Sequence, residues 1–162
     1  MATSDLRRLA PEDHPSVAAM WHRAWHDAHA ALCPDHILRH RTPESFVRRL
    51  PGYAADAWVA TDDEGPVVFA ALDGTEVDQL FLAERARGRG LGTRTMDRLE
   101  DMMRDRGLAV AELDCMVGNE RARRFYLSRG YVELATADRP VWMPDGSAAV
   151  FPIHRLAKRL DR

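Results

Sequence analysis

The sequence predicts an α+β fold, a mixed central β-sheet flanked by helices, in one domain spanning residues 1–162. Three observations lead there. From Ala55 to Leu82 the apolar residues fall into three consecutive strand-like runs. The stretches on either side, about Ser16 to Ala31 and from Leu91 onward, carry their apolar residues at helical spacing. Beyond Gly107 strands and helices alternate, and such crossovers return a strand parallel to its neighbour, so parallel and antiparallel pairs share one sheet.

Taken in order, Ser4 to Leu9 is a short strand, followed by a turn at Pro11 to Pro15. The first helix places Val17, Met20, Trp21, Ala24, Trp25 and Ala28 three and four residues apart, and Pro34 ends or interrupts it. A second helix starts near Thr42, which is an N-cap residue followed by proline at the first helical position, and it runs to Leu50. AADAWVAT, PVVFAAL and TEVDQLFL are then three strands in series, an antiparallel meander with a hairpin expected at Asp73-Gly74. Leu91, Met96, Leu99, Met102 and Met103 mark a helix that ends at Gly107. Leu108 to Met116 is a strand, Asn119 to Arg129 a helix with Gly130 as its C-cap, Tyr131 to Ala137 a strand and Ala149 to His154 the last strand.

Composition narrows the function. Lys plus Arg is 23 against 25 Asp plus Glu, a formal net charge of -2, which argues against a general polyanion binder. Only Lys158 is lysine and the other 22 basic residues are arginine, so an individual arginine carries little functional weight. The dense run Arg85, Arg87, Arg89, Arg94 and Arg98 is joined to no aromatic stacking residues or recognition helix, and no nucleic-acid partner is expected. The N-terminal residues lack a signal peptide's apolar core and no stretch approaches the roughly 20 apolar residues of a membrane span. A cytoplasmic location away from membranes is therefore expected. Cys33 and Cys115 form neither a disulfide framework nor a metal quartet. His22, His26 and His29 are spaced four and three apart but lack an H-E-x-x-H pattern, and no metal is expected.

The chemistry concentrates at Arg87-Gly88-Arg89-Gly90-Leu91-Gly92-Thr93, between a strand and a helix. Glycines permit positive φ and close backbone approach, while the first-turn N–H groups of a helix have no internal partners. A phosphate or pyrophosphate fits such a place, and so does a tight turn with glycines for packing. The Walker pattern is missing, because no lysine and hydroxyl residue follow the glycines. The even spacing of Gly88, Gly90 and Gly92 also fails the dinucleotide fingerprint G-x-G-x-x-G.

Two blocks together resemble the GCN5-related N-acetyltransferases (GNAT). The first is a strand, Asp78-Gln79-Leu80-Phe81-Leu82, followed by R/Q-x-x-G-x-G/A read as Arg87 to Gly92. The second is Asn119, Ala122, Phe125-Tyr126 and Gly130-Tyr131. Their order and separation match as well, and the likeness runs from Leu6 to about Arg155, strongest over Val77 to Tyr131.

The resemblance implies acetyl-CoA as cosubstrate, lying between the strands Val77 to Leu82 and Val110 to Met116. Backbone groups of Leu80, Phe81 and Leu82 would pair with the pantetheine arm. The pyrophosphate would rest on the amides of Gly88, Arg89, Gly90, Leu91, Gly92 and Thr93 with Arg87 adding charge, while Asn119 and Ala122 would help to position the arm. Glu84 stands where the family often has proline, which implies a looser turn and a carboxylate that slightly opposes the cofactor. Tyr126 is the implied general acid toward the leaving thiolate, and also reads as a core aromatic. An acceptor ammonium must lose a proton before it attacks. Glu76 and Asp78 share one face of their strand as candidate bases, with Asp114 a third, and each also reads as a salt-bridged acid. The first two helices would wall the acceptor pocket, with Trp21, Trp25 and His29 as contacts, although both tryptophans also suit a core. The expected activity is transfer of an acetyl group to a primary amine, of a small molecule or a protein, by direct attack in a ternary complex. A noncatalytic acyl-CoA-binding domain is the alternative. Oligomeric state stays open, a homodimer included.

Overall fold

A computed structural model describes residues 2–161. The elements are β1 (Arg7–Arg8), α1 (His14–His29), α2 (Asp35–Leu38), α3 (Pro43–Arg49), β2 (Ala57–Asp62), β3 (Gly65–Asp73), β4 (Glu76–Leu82), α4 (Leu91–Asp105), β5 (Val110–Met116), α5 (Glu120–Ser128), β6 (Val132–Pro140) and β7 (Val150–Arg159). Single-turn 3₁₀ segments precede α1 and α4, and a longer one at Leu50–Asp56 joins α3 to β2.

All seven strands form one sheet in the order β1-β2-β3-β4-β5-β7-β6. Every neighbouring pair is antiparallel except β4 with β5. The α+β expectation of a mixed sheet between helices is met. β3 shows why its sequence is almost continuously apolar: Phe69 and Ala71 pack with α1 and α3 on one face, while Ala70 and Leu72 pack with α4 on the other. The first core contains Val17, Trp21, Phe46 and Val59, and the second Met96, Leu99, Leu113 and Leu156. No helix among the described residues is long and apolar enough to cross a membrane.

Several boundaries differ from those read in the sequence. The first helix starts two residues earlier, with Pro15 in its first turn, and a separate four-residue turn, α2, follows Pro34. Thr42 caps α3 as expected, its hydroxyl oxygen accepting from the Ser45 N–H at 3.3 Å. The β3–β4 hairpin pairs Asp73 with Glu76, so its two loop residues are Gly74 and Thr75 rather than Asp73 and Gly74. Only Gly74, at φ 57°, takes the left-handed region. A type II′ turn needs a glycine at the first loop position alone, and this slip accommodates it. β7 runs on to Arg159, five residues beyond the expected end, because it is held on both sides, by β5 through Val110↔Arg159 and by β6 through Val132↔Ala157.

Candidate active site

β4 and β5 meet at a single register pair, Glu76 with Glu112, where the Glu112 N–H donates to the Thr75 carbonyl at 2.8 Å. Beyond it they part. A bulge helps: Leu72 pairs with Val77 and Ala71 with Gln79, so Asp78 is an extra residue in β4 and the strand bends there. The cleft between the strands holds two cavities, of about 330 and 310 Å³. They share the walls Leu80, Phe81, Asn119, Ala122 and Tyr126.

The larger cavity ends on the glycine loop, lined by Arg87, Gly88, Gly90, Leu91, Gly92 and Thr93. Gly88 and Gly90 hold φ of 71° and 72°, and Gly90 stands at the N-cap of α4 without a capping side chain, so the helix's first N–H groups are left for a ligand. A Cβ added at Gly92 would lie 3.5 Å from the Phe125 ring, an ordinary contact. The chain's own packing therefore does not require glycine at 92. Donors at one end and apolar Ala24, Ala28, Leu80, Phe81 and Phe125 along the walls suit a phosphorylated, largely aliphatic chain such as coenzyme A. Arg87 reaches this cavity while its Nη2 lies 3.4 Å from the Leu82 carbonyl and 3.5 Å from the Asp27 carboxylate. Arg89 lines neither cavity; its carbonyl accepts from Arg94 Nη1 at 3.1 Å. Glu84 is exposed at the start of the 3₁₀ turn Glu84–Ala86 and lines neither cavity.

The smaller cavity brings together Glu76, Asp78 and Asp114 with Trp25, His29 and Tyr126. The three carboxylates are not equivalent. Arg155 Nη1 donates to Glu76 and to Asp114, at 2.9 Å each, and Arg139 is 3.1 Å from Asp114. Asp78 makes no hydrogen bond or ion pair among the described residues. Burial, together with Glu76, Asp73 and Asp114, outweighs the attraction of Arg49 and pushes its carboxyl up to about 6.

Tyr126 is buried against Phe125 and Tyr131, and burial holds its phenol far above the usual range, so it keeps its proton. Asn119 serves two neighbours. Its Oδ1 accepts from the Ala122 N–H at 3.3 Å, capping α5, which turns its Nδ2 toward His29 Nε2 at 3.2 Å. His29 therefore accepts at Nε2 and carries its proton on Nδ1, and burial pushes its pKa down to about 4. Cys115 is buried with its Sγ 3.7 Å from the Asn119 carbonyl, and burial raises its thiol to about 11.

Trp21 does not join the site. It is fully buried and packs on Phe46, Tyr53 and Phe69 with ring centroids 4.8, 5.4 and 5.0 Å away, because the inner face of α1 meets the sheet at this turn of the helix. Trp25, one turn on, does line the smaller cavity. The histidine run also separates: the His22 and His26 rings lie 4.4 Å apart, tilted by 50°, and His26 Nε2 is 2.7 Å from the Arg41 carbonyl. Among the described residues no group of three His, Cys, Asp or Glu side chains is placed to hold a metal. The sequence reading missed Arg41, Arg49, Tyr53 and Trp142 in the wall of this cavity.

Residues 5–131 match the family described as the Acetyltransferase (GNAT) family. The peptidyl-lysine N-acetyltransferase YjaB of Salmonella typhimurium is 34% identical over 89 residues, 54% of this chain and 59% of that one. A GCN5-related N-acetyltransferase structure from Rhodopseudomonas palustris superposes with a TM-score of 0.76 at 24% identity, covering 98% of both chains. The PaiA N-acetyltransferase of Thermoplasma acidophilum, solved in complex with coenzyme A, gives 0.74 at 16% identity over 98% of this chain and 99% of that one. At these identities the structural likeness speaks for the fold.

Proposed function

Because the chain belongs to the GNAT acetyltransferase family, and so is an enzyme that moves an acetyl group from acetyl-CoA to an amine, we propose that it does so by direct attack across the wall shared by its two cavities. The observation that carries this reading is the position of Tyr126: a buried, protonated phenol that lines both cavities. The thioester supplies an acetyl carbonyl and a sulfur that must leave with a proton.

The N–H groups of Leu91, Gly92 and Thr93 and the Arg87 guanidinium hold the phosphates. The free edge of β4 at Leu80 to Leu82 lies along the pantetheine arm, which Asn119 and Ala122 position from the opposite side. Tyr126 gives its proton to the departing sulfur. Asp78 takes the proton of the acceptor ammonium, directly or through a water. Its raised basicity narrows the gap to an amine near 10, while Glu76 and Asp114 stay tied to Arg155 and hold the field that raises it. Trp25 and His29 wall the acceptor, a role for which a neutral histidine is suited at pH 7.

Cys115 supports the one-step route, because a thiol pushed up to about 11 is almost wholly protonated and a poor nucleophile. Rapid mixing with acetyl-CoA in the absence of acceptor, read by intact-protein mass spectrometry, is expected to show no acetyl adduct, with initial rates depending jointly on both substrates. A stoichiometric adduct that decays at the turnover rate and vanishes in Cys115→Ala would replace direct attack by a two-step mechanism.

A further inference from the structure

The smaller cavity holds two buried guanidinium groups that no ion pair among the described residues neutralises, although Tyr53 and, from a longer range, Asp78 attract that of Arg49. Arg41 is 4% exposed, and its Nε and Nη1 are buried without a hydrogen-bond partner. The same two atoms of Arg49 are in the same state. Both residues line the cavity, and neither makes an ion pair among the described residues. Elsewhere in this chain half-buried arginines are matched: Arg85 with Asp62 at 2.8 Å, Arg123 with Glu133 at 2.6 Å, Arg129 with Glu100 at 3.2 Å. Arg41 and Arg49 moreover repel each other, and this repulsion adds to burial in lowering Arg41 to about 10. A chain that buries two like charges side by side leaves them wanting an anion.

Aromatic faces keep them in place without supplying one. The Arg41 guanidinium lies 5.5 Å from the ring centres of both Trp25 and Trp142, and that of Arg49 lies 4.9 Å from those of Trp21 and Trp142. The loop carrying Trp142 is fastened to α3 by Arg48 Nη2 donating to the Pro144 carbonyl at 2.9 Å, and His26 holds the Arg41 backbone. Ring faces attract the cation's charge but accept nothing from N–H groups in the guanidinium plane, where a carboxylate or phosphonate is bound by two parallel hydrogen bonds. The coenzyme's phosphates are not the missing anion, because neither arginine lines the cavity that ends on the glycine loop. The acceptor cavity is thus bipolar, with Asp78 and its neighbouring acids for an ammonium and the two guanidinium groups for an oxyanion.

We propose that the acceptor is a small amine that also carries an oxyanion, an amino carboxylate or its phosphonate counterpart, and that Arg41 and Arg49 bind the oxyanion. This assignment rests on the acetyl-transfer reading above and specifies its acceptor. Free amino acids are to be compared with the amines that lack only the carboxylate, for instance phenylalanine with 2-phenylethylamine, and with the matching aminophosphonates, following release of the coenzyme A thiol. The oxyanion-bearing member is expected to win by about 100-fold in kcat/KM. Arg41→Met and Arg49→Met are each expected to bring that ratio down about 10-fold or more, and Arg41→Lys less far.

A second readout needs no turnover: calorimetry of the enzyme loaded with coenzyme A is expected to detect benzoate or 3-phenylpropanoate, with binding weakened in both arginine variants. A ratio near one in the wild-type enzyme, or a peptide lysine acetylated faster than every amino acid, overturns the proposal even if a variant fails to fold. If no amine is acetylated at all, the transfer reading falls and calorimetry alone decides this one: arginine-dependent anion binding upholds the oxyanion site, and its absence removes it.

Discussion

Asp78→Asn tests the proposed proton acceptor with almost no change in volume. In the structure Asp78 is the carboxylate of the smaller cavity that makes no ion pair among the described residues, and its surroundings set its carboxyl at about 6. The kcat/KM profile of the wild-type enzyme should therefore carry an acidic limb with an apparent pKa near 6, falling about tenfold per pH unit below it. In Asp78→Asn that limb should disappear and the plateau drop about 100-fold, the ordinary scale of general-base assistance. Arg49→Met supplies an internal check, since Arg49 lowers Asp78, and its loss should move the limb to higher pH.

Stability should move the other way. A carboxyl raised from 3.8 to about 6 by folding resists ionisation, so the folded state is penalised increasingly as pH climbs from 3.8 through 6 and the penalty is absent below. Asp78→Asn should thus melt higher than wild type at about pH 7.5, with the gap closing below about pH 4. The assay is steady-state release of the coenzyme A thiol between about pH 5 and 9 with acceptors of different amine pKa, paired with thermal melts. Persistence of the limb near pH 6 in the Asn variant, with chemistry limiting the rate, would return Asp78 to the ranks of bystanders.

Three further outcomes are expected. Tyr126→Phe should lower turnover about 100-fold, or about 2.7 kcal/mol of barrier, while calorimetric affinity for coenzyme A stays the same. Gly92→Glu, which places a carboxylate among the first-turn N–H groups of α4, should abolish detectable coenzyme binding in calorimetry while the melting temperature changes little, because an added Cβ makes only ordinary contacts. Glu100, 2% exposed and bonded to Lys158 at 2.7 Å, Arg129 at 3.2 Å and the Tyr131 hydroxyl at 3.2 Å, anchors α4 to the C-terminal strands. Glu100→Ala leaves the part-buried Lys158 without its carboxylate and Arg129 with Asp97 alone, and should cost about 3 kcal/mol, read as a lower denaturation midpoint at unchanged slope.

What could be read in the sequence is what a local rule controls. Helical spacing found α1 and α4 because one face of each meets the sheet, and Thr42 announced its helix because a cap is a contact within four residues. Gly88 to Gly92 announced the uncapped start of α4 at one end of a cavity for the same reason: its N–H groups belong to one short segment. Errors appear where a partner distant in sequence decides. The length of β7 depends on ladders with β5 and β6, and the β4 bulge at Asp78 shows only in the pairing with β3. Trp21 and Trp25 look alike in sequence, yet one faces the sheet and the other the cleft, a distinction that needs the angle at which α1 crosses β3 and β4.

Arg41 and Arg49 show the deepest limit of this kind. In a chain with 22 arginines, residue type says nothing about which guanidinium has a carboxylate beside it. That information lies in an inventory of partners, and most partners come from far along the chain: Arg85 finds Asp62, Arg106 finds Asp56, and Arg155 finds Glu76 and Asp114. The same arginine-rich composition that makes any single one uninformative makes this buried pair informative once the partners are known, because the part-buried Arg85, Arg104, Arg123, Arg129 and Arg155 each have a carboxylate beside them. The departure falls in the cavity where Asp78 is also unmatched. Arg49 attracts Asp78 without forming an ion pair with it, so one acid and two guanidinium groups stand in one space with no close partner of opposite charge, a template for a molecule bearing both signs. The acceptor's charge pattern is then written in what the chain leaves unsatisfied, whereas the coenzyme's is written in a local run of glycines.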